Sequence, residues 1–374
     1  MKVKTLVAIL LLVIASPYFG YSQRPVETKI LGFDSVKLDP SFTDLLLPEN
    51  PTGISGSDGC ISIDLGKGKS IFLWGDSFLG PIKDNIRQSP SKFILGNTAT
   101  LYSKDSIQSL YGGDFNQPRS FIDVETSEQG KYWYWPGDGF LFKGQLLLFM
   151  AKYSKKANEK GPFAFQYEGC DFLSLNPKTF ELMHRASFIS GDNPIHYGHA
   201  VIQQGKYIYI YGSKVDHKNF HSELHVMRAQ IKNRDLIAQE YWAGEKWEKD
   251  AAKSKAIAGV HSMVSEQFSV RKLDGKIVLL NQDRYHVPGK IYSYIADDFQ
   301  GPFRNEKLLY QIDEPELKQD SLFTYNAMFH PQISKDNKIL VSYNVNTFSE
   351  RLWWKKASVY RPRFIWLDKK SILN

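Results

Sequence analysis

One hairpin plan recurs five times along this chain. The segments are "SDGCISIDLGKGKSIFLWGDS" from Ser57, "GDGFLFKGQLLLFMAKY" from Gly137, "GHAVIQQGKYIYIYGSK" from Gly198, "EQFSVRKLDGKIVLLNQDR" from Glu266 and "NAMFHPQISKDNKILVSYNVN" from Asn326. Each runs from a polar residue through a short strand, turns tightly at Gly or Asn, and returns through a strongly apolar strand. Turns such as "GKGK", "QGK" and "DGK" suit short hairpin connections. The return strands "SIFLW", "QLLLF", "YIYIY", "KIVLL" and "KILVSY" are near-continuous apolar runs. Strands of that kind are buried on both faces. The repeat therefore predicts sheets stacked between neighbouring sheets.

A third candidate strand follows each hairpin: "NTATLYS", "CDFLSLN", "SELHVMRAQ", "KIYSYIAD" and "ASVYRPRFIWL". A fourth follows some of them, as in "ELMHRASFI" and "RNEKLLYQI". Units of four strands, about 60 to 80 residues apart, are the signature of propeller blades. The expected fold is all-β: one five-bladed β-propeller domain of four-stranded antiparallel blades over residues 23–374. An open β-sandwich is the alternative, but it would not repeat one hairpin plan five times. "YGGDFNQPRSFIDVETSEQGKYWYWP" and "YWAGEKWEKDAAKSKAIAGVHSM" read as insertions. "KILGFDSVKLD" is expected to supply the outer strand of the fifth blade and close the ring.

The opening "MKVKTLVAILLLVIASPYFGYS" has two lysines, an apolar core and small residues after it. It reads as a secretory signal peptide over residues 1–22, which predicts a secreted or periplasmic product with no membrane insertion after cleavage. Net charge is +7, but the lysines and arginines are interspersed with acids, as on a solvated surface, and predict no nucleic-acid partner. The two cysteines, Cys60 and Cys170, lie in apolar runs and are expected as buried thiols. Aromatic residues make up 14% of the chain, a share that suits strands and sugar-facing surfaces.

In a propeller the residues that open the inner strands converge on one face. Here they are Asp58, Asp138, His199, Glu266 and Asn326; the return strands deliver Asp76, Lys152, Lys214, Asp283 and Asn344 to the same face. Carboxylates crowded beside apolar rings acquire split pKa values. Glycoside hydrolysis needs such a pair, one acid to protonate the leaving oxygen and one carboxylate to activate water or attack carbon. Trp74, Phe78, Trp133, Trp135 and Tyr343 are candidate platforms for sugar rings. An Asp following Gly is also a common turn residue, so each position has a purely structural alternative.

His196, His199, His217, His221 and His225 cluster in sequence. Three or four converging ligands would be needed for zinc; a central calcium held by Asp and Asn oxygens is the preferred metal expectation, with no metal or cofactor required for activity. Arg361 and Arg363 in "YRPRF" are expected either to grip substrate oxygens or to form a structural ion pair. Zinc-protease motifs, phosphate loops and a nucleophile elbow are absent from the sequence.

The motifs "GSDGCISIDLGKGKSIFLWGDSF", "PGDGFLFKGQLLLF", "SEQFSV" and "YRPRF" together resemble a bacterial five-bladed propeller family known as domain of unknown function 4185. Its members are similar to the endo-D-arabinanases of glycoside hydrolase family 183. More remotely, the layout resembles glycoside hydrolase family 43. That resemblance implies Asp58 as catalytic base and Asp138 as pKa modulator. The third position, a Glu acid in that family, is His199 here, which leaves Glu266 or Asp76 as the acid.

The reading is an exported glycoside hydrolase acting on a furanose-containing polysaccharide such as arabinan, working as a monomer without organic cofactor. Asp58, Asp138, Glu266 and Asp76 are the catalytic candidates. Trp74, Phe78, Trp135, His199, Asp283, Asn326, Tyr343 and Arg363 are the substrate-binding candidates. A non-catalytic carbohydrate-binding propeller is the alternative.

Overall fold

A computed structural model describes residues 36, 38–104, 106–159, 161, 164–284, 289–319 and 322–373. The signal-peptide expectation lies outside these residues. Among them, no helix is long and apolar enough to cross a membrane.

The structure is mostly β. Each predicted hairpin is the first half of a separate antiparallel sheet. The first sheet holds Ile61–Gly66, Lys69–Trp74, Thr98–Ser103 and Ser106–Leu110, and the second Tyr132–Phe142, Gln145–Lys155, Phe165–Leu175 and Leu182–Ser190. Five strands make the third: Ile195–Gln204, Tyr207–Asp216, His221–Lys232, Asp235–Trp242 and the short Trp247–Glu248. Four make the fourth: Ser269–Leu273, Lys276–Gln282, Lys290–Ala296 and Arg304–Gln311. The fifth has Phe323–Lys335, Lys338–Asn346 and Arg363–Asp368. Four strands per sheet is thus the rule for the first, second and fourth only. Of the expected closing strand, Leu38 forms an isolated antiparallel bridge to Ile365, and Asp39 N–H donates to the Phe364 carbonyl at 2.7 Å; residues 30–35 lie outside the described part. The chain then turns into the helix Pro40–Leu46, which packs on that edge of the fifth sheet.

The apolar return strands explain the stacking. Hydrophobic side chains gather in layers between successive sheets. Tyr134 and Leu148 of the second sheet meet Ile61 and Ile71 of the first. Phe149 and Phe172 meet Ile208 and Ile210 of the third. Val226 meets Leu279 and Tyr294 of the fourth. Leu280 and Ile291 meet Phe329 and Val341 of the fifth, and Leu340 and Phe364 return to Phe72 and Trp74 of the first. A strand with a layer on each side has no polar face to give, hence the unbroken apolar runs.

The first strands of the second, third and fifth sheets begin earlier than the sequence suggests. Each carries a β-bulge, between Pro136 and Gly139, Tyr197 and Ala200, and Tyr325 and Met328. Asp138, His199 and Asn326 therefore sit inside bulges rather than at strand starts. A bulge re-aims its side chains and bends the strand. The strand continues beyond it and carries Trp135, His196 and Tyr325 outward.

Candidate active site

The predicted polar residues separate into a partly exposed set and a buried layer beneath it. Asp58 lies in the bend before the first inner strand and is partly exposed. Its Oδ2 accepts a hydrogen bond from the Tyr325 hydroxyl at 2.6 Å, and the Tyr360 hydroxyl is a second donor. Burial raises its carboxyl above the usual range, and the two phenols offset part of that rise. Tyr325 is itself held by the Asn346 amide at 3.1 Å, and Asn346 by the Trp353 indole at 2.9 Å.

Asp76 follows the return strand. Its Oδ1 accepts from Gly96 N–H and from the Trp135 indole, each at 2.7 Å. Both bonds fall on one oxygen, so Oδ2 is the atom left to carry a proton. Burial pushes the Asp76 carboxyl up to about 7, with the nearby Asp58 charge adding to the rise and the two hydrogen bonds opposing it. Gly75 makes room for the Asp58 carboxyl: a Cβ there would stand 2.3 Å from Asp58 Oδ1. The glycine in "WGDS" is required for that contact.

From Asp76 a chain of ring contacts leads away through Trp135. The Trp135 ring meets Tyr153 at 4.4 Å and Phe165 at 4.7 Å between centroids, Tyr153 meets Tyr167 at 5.6 Å, and Tyr167 stacks on His196 at 3.8 Å. At the far end His196 Nδ1 lies 3.1 Å from Glu266 Oε1, and Arg284 donates to Glu266 Oε2 at 2.9 Å. Burial alone would raise Glu266. The His196 hydrogen bond and the Arg284 and histidine charges overcome it and hold the carboxyl well below its ordinary value. His199, 5% exposed, lies nearby; burial lowers its imidazole to about 4, and among the described residues Nε2 has no hydrogen-bond partner. Glu266 is thus held ionised, whereas burial favours the protonated form of Asp76.

Asp138 is different. At 1% exposure it receives both Arg271 terminal nitrogens, at 2.6 and 3.1 Å, and the backbone N–H groups of Val201 at 2.8 Å and Gly139 at 2.9 Å. Those four bonds occupy the carboxylate's acceptor positions. Asp138 pins the second, third and fourth sheets together beneath the partly exposed set. Asn326 belongs to the same layer: its Oδ1 accepts from Ser265 Oγ at 2.7 Å and Gln267 N–H at 3.2 Å, and its amide donates to Gln267 Oε1 at 3.1 Å.

Several expected sugar platforms are core residues instead. Trp74 is fully buried between the first and fifth sheets, with its indole on Thr100 Oγ1 at 2.9 Å. Phe78 is buried among Phe93, Trp353, Trp354 and Tyr360, with the Arg87 guanidinium over its ring. Tyr343 is buried and donates to Glu314. Arg363 takes its structural alternative, paired with Glu314 at 3.2 Å and with Glu316. Asp283 is nearly buried, near Tyr292. Trp133 is buried against Tyr153. Trp135 alone among the expected platforms is partly exposed. The sequence reading missed Tyr325, Tyr360, Tyr153 and Tyr167, as well as Phe323 and the exposed Phe348, whose rings lie 4.7 Å apart beside Tyr325. Cys60 and Cys170 are free buried thiols, as expected.

No curated protein matches the chain. Among solved structures, a Bacteroides ovatus protein provisionally described as a hydrolase is similar over 91% of this chain and 96% of its own, at TM-score 0.70 and 17% identity. The GH43B protein of a Bacteroides ovatus xyloglucan locus is similar over 85% of this chain and 53% of its own, at TM-score 0.50 and 10% identity. An endo-arabinase from Bacteroides thetaiotaomicron covers 85% of this chain and 97% of its own, at TM-score 0.44 and 11% identity. These likenesses concern the fold alone. The domain-4185 resemblance finds no support in these comparisons: residues 39–369 match the model of the domain of unknown function DUF5005, and the chain belongs to that family.

Proposed function

We propose that this chain is an exported glycoside hydrolase that cleaves a furanose-containing polysaccharide such as arabinan, and that its five stacked sheets are the blades of one propeller. The observation that carries the reading is the Asp58/Asp76 pair. Two neighbouring carboxyls lie beside a row of aromatic rings, and the one bonded to the Trp135 indole is raised to about 7. At neutral pH Asp76 keeps a proton to give to the glycosidic oxygen as the C–O bond breaks. Asp58, steadied by Tyr325 and Tyr360, activates water or attacks the anomeric carbon. Trp135 supplies an apolar face for a sugar ring. The glycoside hydrolases among the similar folds support the same chemistry.

Purified protein incubated with arabinans, D-arabinan included, should shorten the chains, and Asp58→Asn should abolish this. Inverted anomers in the first products would assign Asp58 as base; retained anomers would assign it as nucleophile. Sugar affinity without cleavage in the unaltered protein would defeat the hydrolase reading and mark a carbohydrate-binding propeller.

A further inference from the structure

We propose that His196, His199 and Glu266 form a binding site for a divalent transition-metal ion of the zinc class. One ligand atom from each residue, two imidazole nitrogens and a carboxylate oxygen, lies within 4.8 Å of the others. Zn²⁺ with ligands at about 2.0–2.1 Å would draw such a set together by small side-chain rotations. Two features of the structure point to an ion rather than to a finished hydrogen-bond network. His199 Nε2 is buried and has no hydrogen-bond partner among the described residues. A buried ring nitrogen left that way is costly unless something binds it. The other two ligands are already oriented. His196 is held flat by Tyr167 at 3.8 Å, and Arg284 holds Glu266 Oε2 at 2.9 Å. That leaves Oε1, the oxygen nearest His196 Nδ1, to face the ion, with Arg284 as the outer partner that steadies a ligating carboxylate.

The donor set selects the metal. Two imidazoles and one carboxylate suit Zn²⁺ and its first-row neighbours, whereas calcium takes six to eight oxygens. His196 and Glu266 are partly exposed, so the remaining coordination position opens toward solvent. A water or a sugar hydroxyl can fill it. The site lies at the opposite end of the row of aromatic rings from Asp58 and Asp76 and stands whether or not the chain is a glycosidase.

Full-length protein stripped with chelator and titrated calorimetrically with Zn²⁺ should bind about one ion per chain, with Ca²⁺ at least a hundredfold weaker. His199→Ala and Glu266→Gln should each weaken Zn²⁺ binding at least tenfold, with circular dichroism confirming the fold. Co²⁺ should give visible absorption bands of low coordination number that vanish in His199→Ala. Should either variant fail to fold, His196→Gln takes its place under the same criterion. His221 and His225 flank Glu223 at 3.0 and 3.5 Å on another part of the third sheet, and His221→Ala should leave the titration unchanged. No Zn²⁺ uptake, uptake equal in the His199 variant, or loss of uptake with His221→Ala would each overturn the proposal.

Discussion

Asp58 and Asp138 begin alike in sequence, each after a small residue and before Gly, in "SDGC" and "GDGF". The structure sends them to opposite fates. Asp58 stands before its strand, partly exposed, with phenol donors and a second carboxyl beside it. Asp138 sits within a bulge, shut from solvent, with a guanidinium and two backbone N–H groups filling its oxygens. Phenols and a neighbouring acid leave a carboxylate reactive and free to titrate. Arginine and backbone amides tie its oxygens into the scaffold. The partners decide the chemistry, and the local sequence does not.

The largest expected effect tests the reactive half of that contrast. Asp76→Asn or Asp58→Asn should lower glycan cleavage by about 10³-fold, within the range that general acid–base groups supply. Asn keeps the Oδ1 acceptor, so thermal unfolding of Asp76→Asn should show no loss of stability. The fixed half is tested next. Asp138→Asn leaves Arg271 buried and underpaired and should cost about 3–5 kcal/mol in denaturant unfolding. Replacing both, as Asp138→Leu with Arg271→Met, should recover much of that loss.

Titration sharpens the comparison further. A general acid with a pKa of about 7 predicts a rate that falls above about pH 7. The same shift bears on stability. The folded carboxyl binds its proton more tightly than the unfolded chain does, so stability declines as pH rises from about 4 to about 7. The melting temperature of Asp76→Asn should therefore gain on the parent across that window, and the advantage should vanish below it. Equal melting curves at every pH would show that Asp76 is not shifted. Tyr325→Phe removes one donor from Asp58; activity should fall about tenfold, and the acidic limb of the rate profile should move upward. The smallest effect belongs to Trp74. Trp74→Phe should cost about 1 kcal/mol of stability through the Thr100 bond and leave KM unchanged, while Trp135→Ala should raise KM.

The sheets were legible because stacking between neighbours imposes an apolar code that repetition exposes. The predicted return strands correspond to Lys69–Trp74, Gln145–Lys155, Tyr207–Asp216, Lys276–Gln282 and Lys338–Asn346. Asp58, Asp76 and Glu266 were legible as polar residues in bends beside strands. The bulges were not legible, and they moved Asp138, His199 and Asn326 a layer down. Nor were the partners. Tyr325 lies 267 residues from Asp58, and Glu266 lies 70 from His196. The doubly apolar return strand also gives no sign that Trp74 points inward, since both of its faces are covered.

Gln267 donates to the Pro136 carbonyl at 3.0 Å while exchanging bonds with Asn326, so one side chain spans the second, fourth and fifth sheets. Together with the Asp138–Arg271 pair it knots four of the five sheets at one depth, so loosening either tie would slacken its neighbours as well.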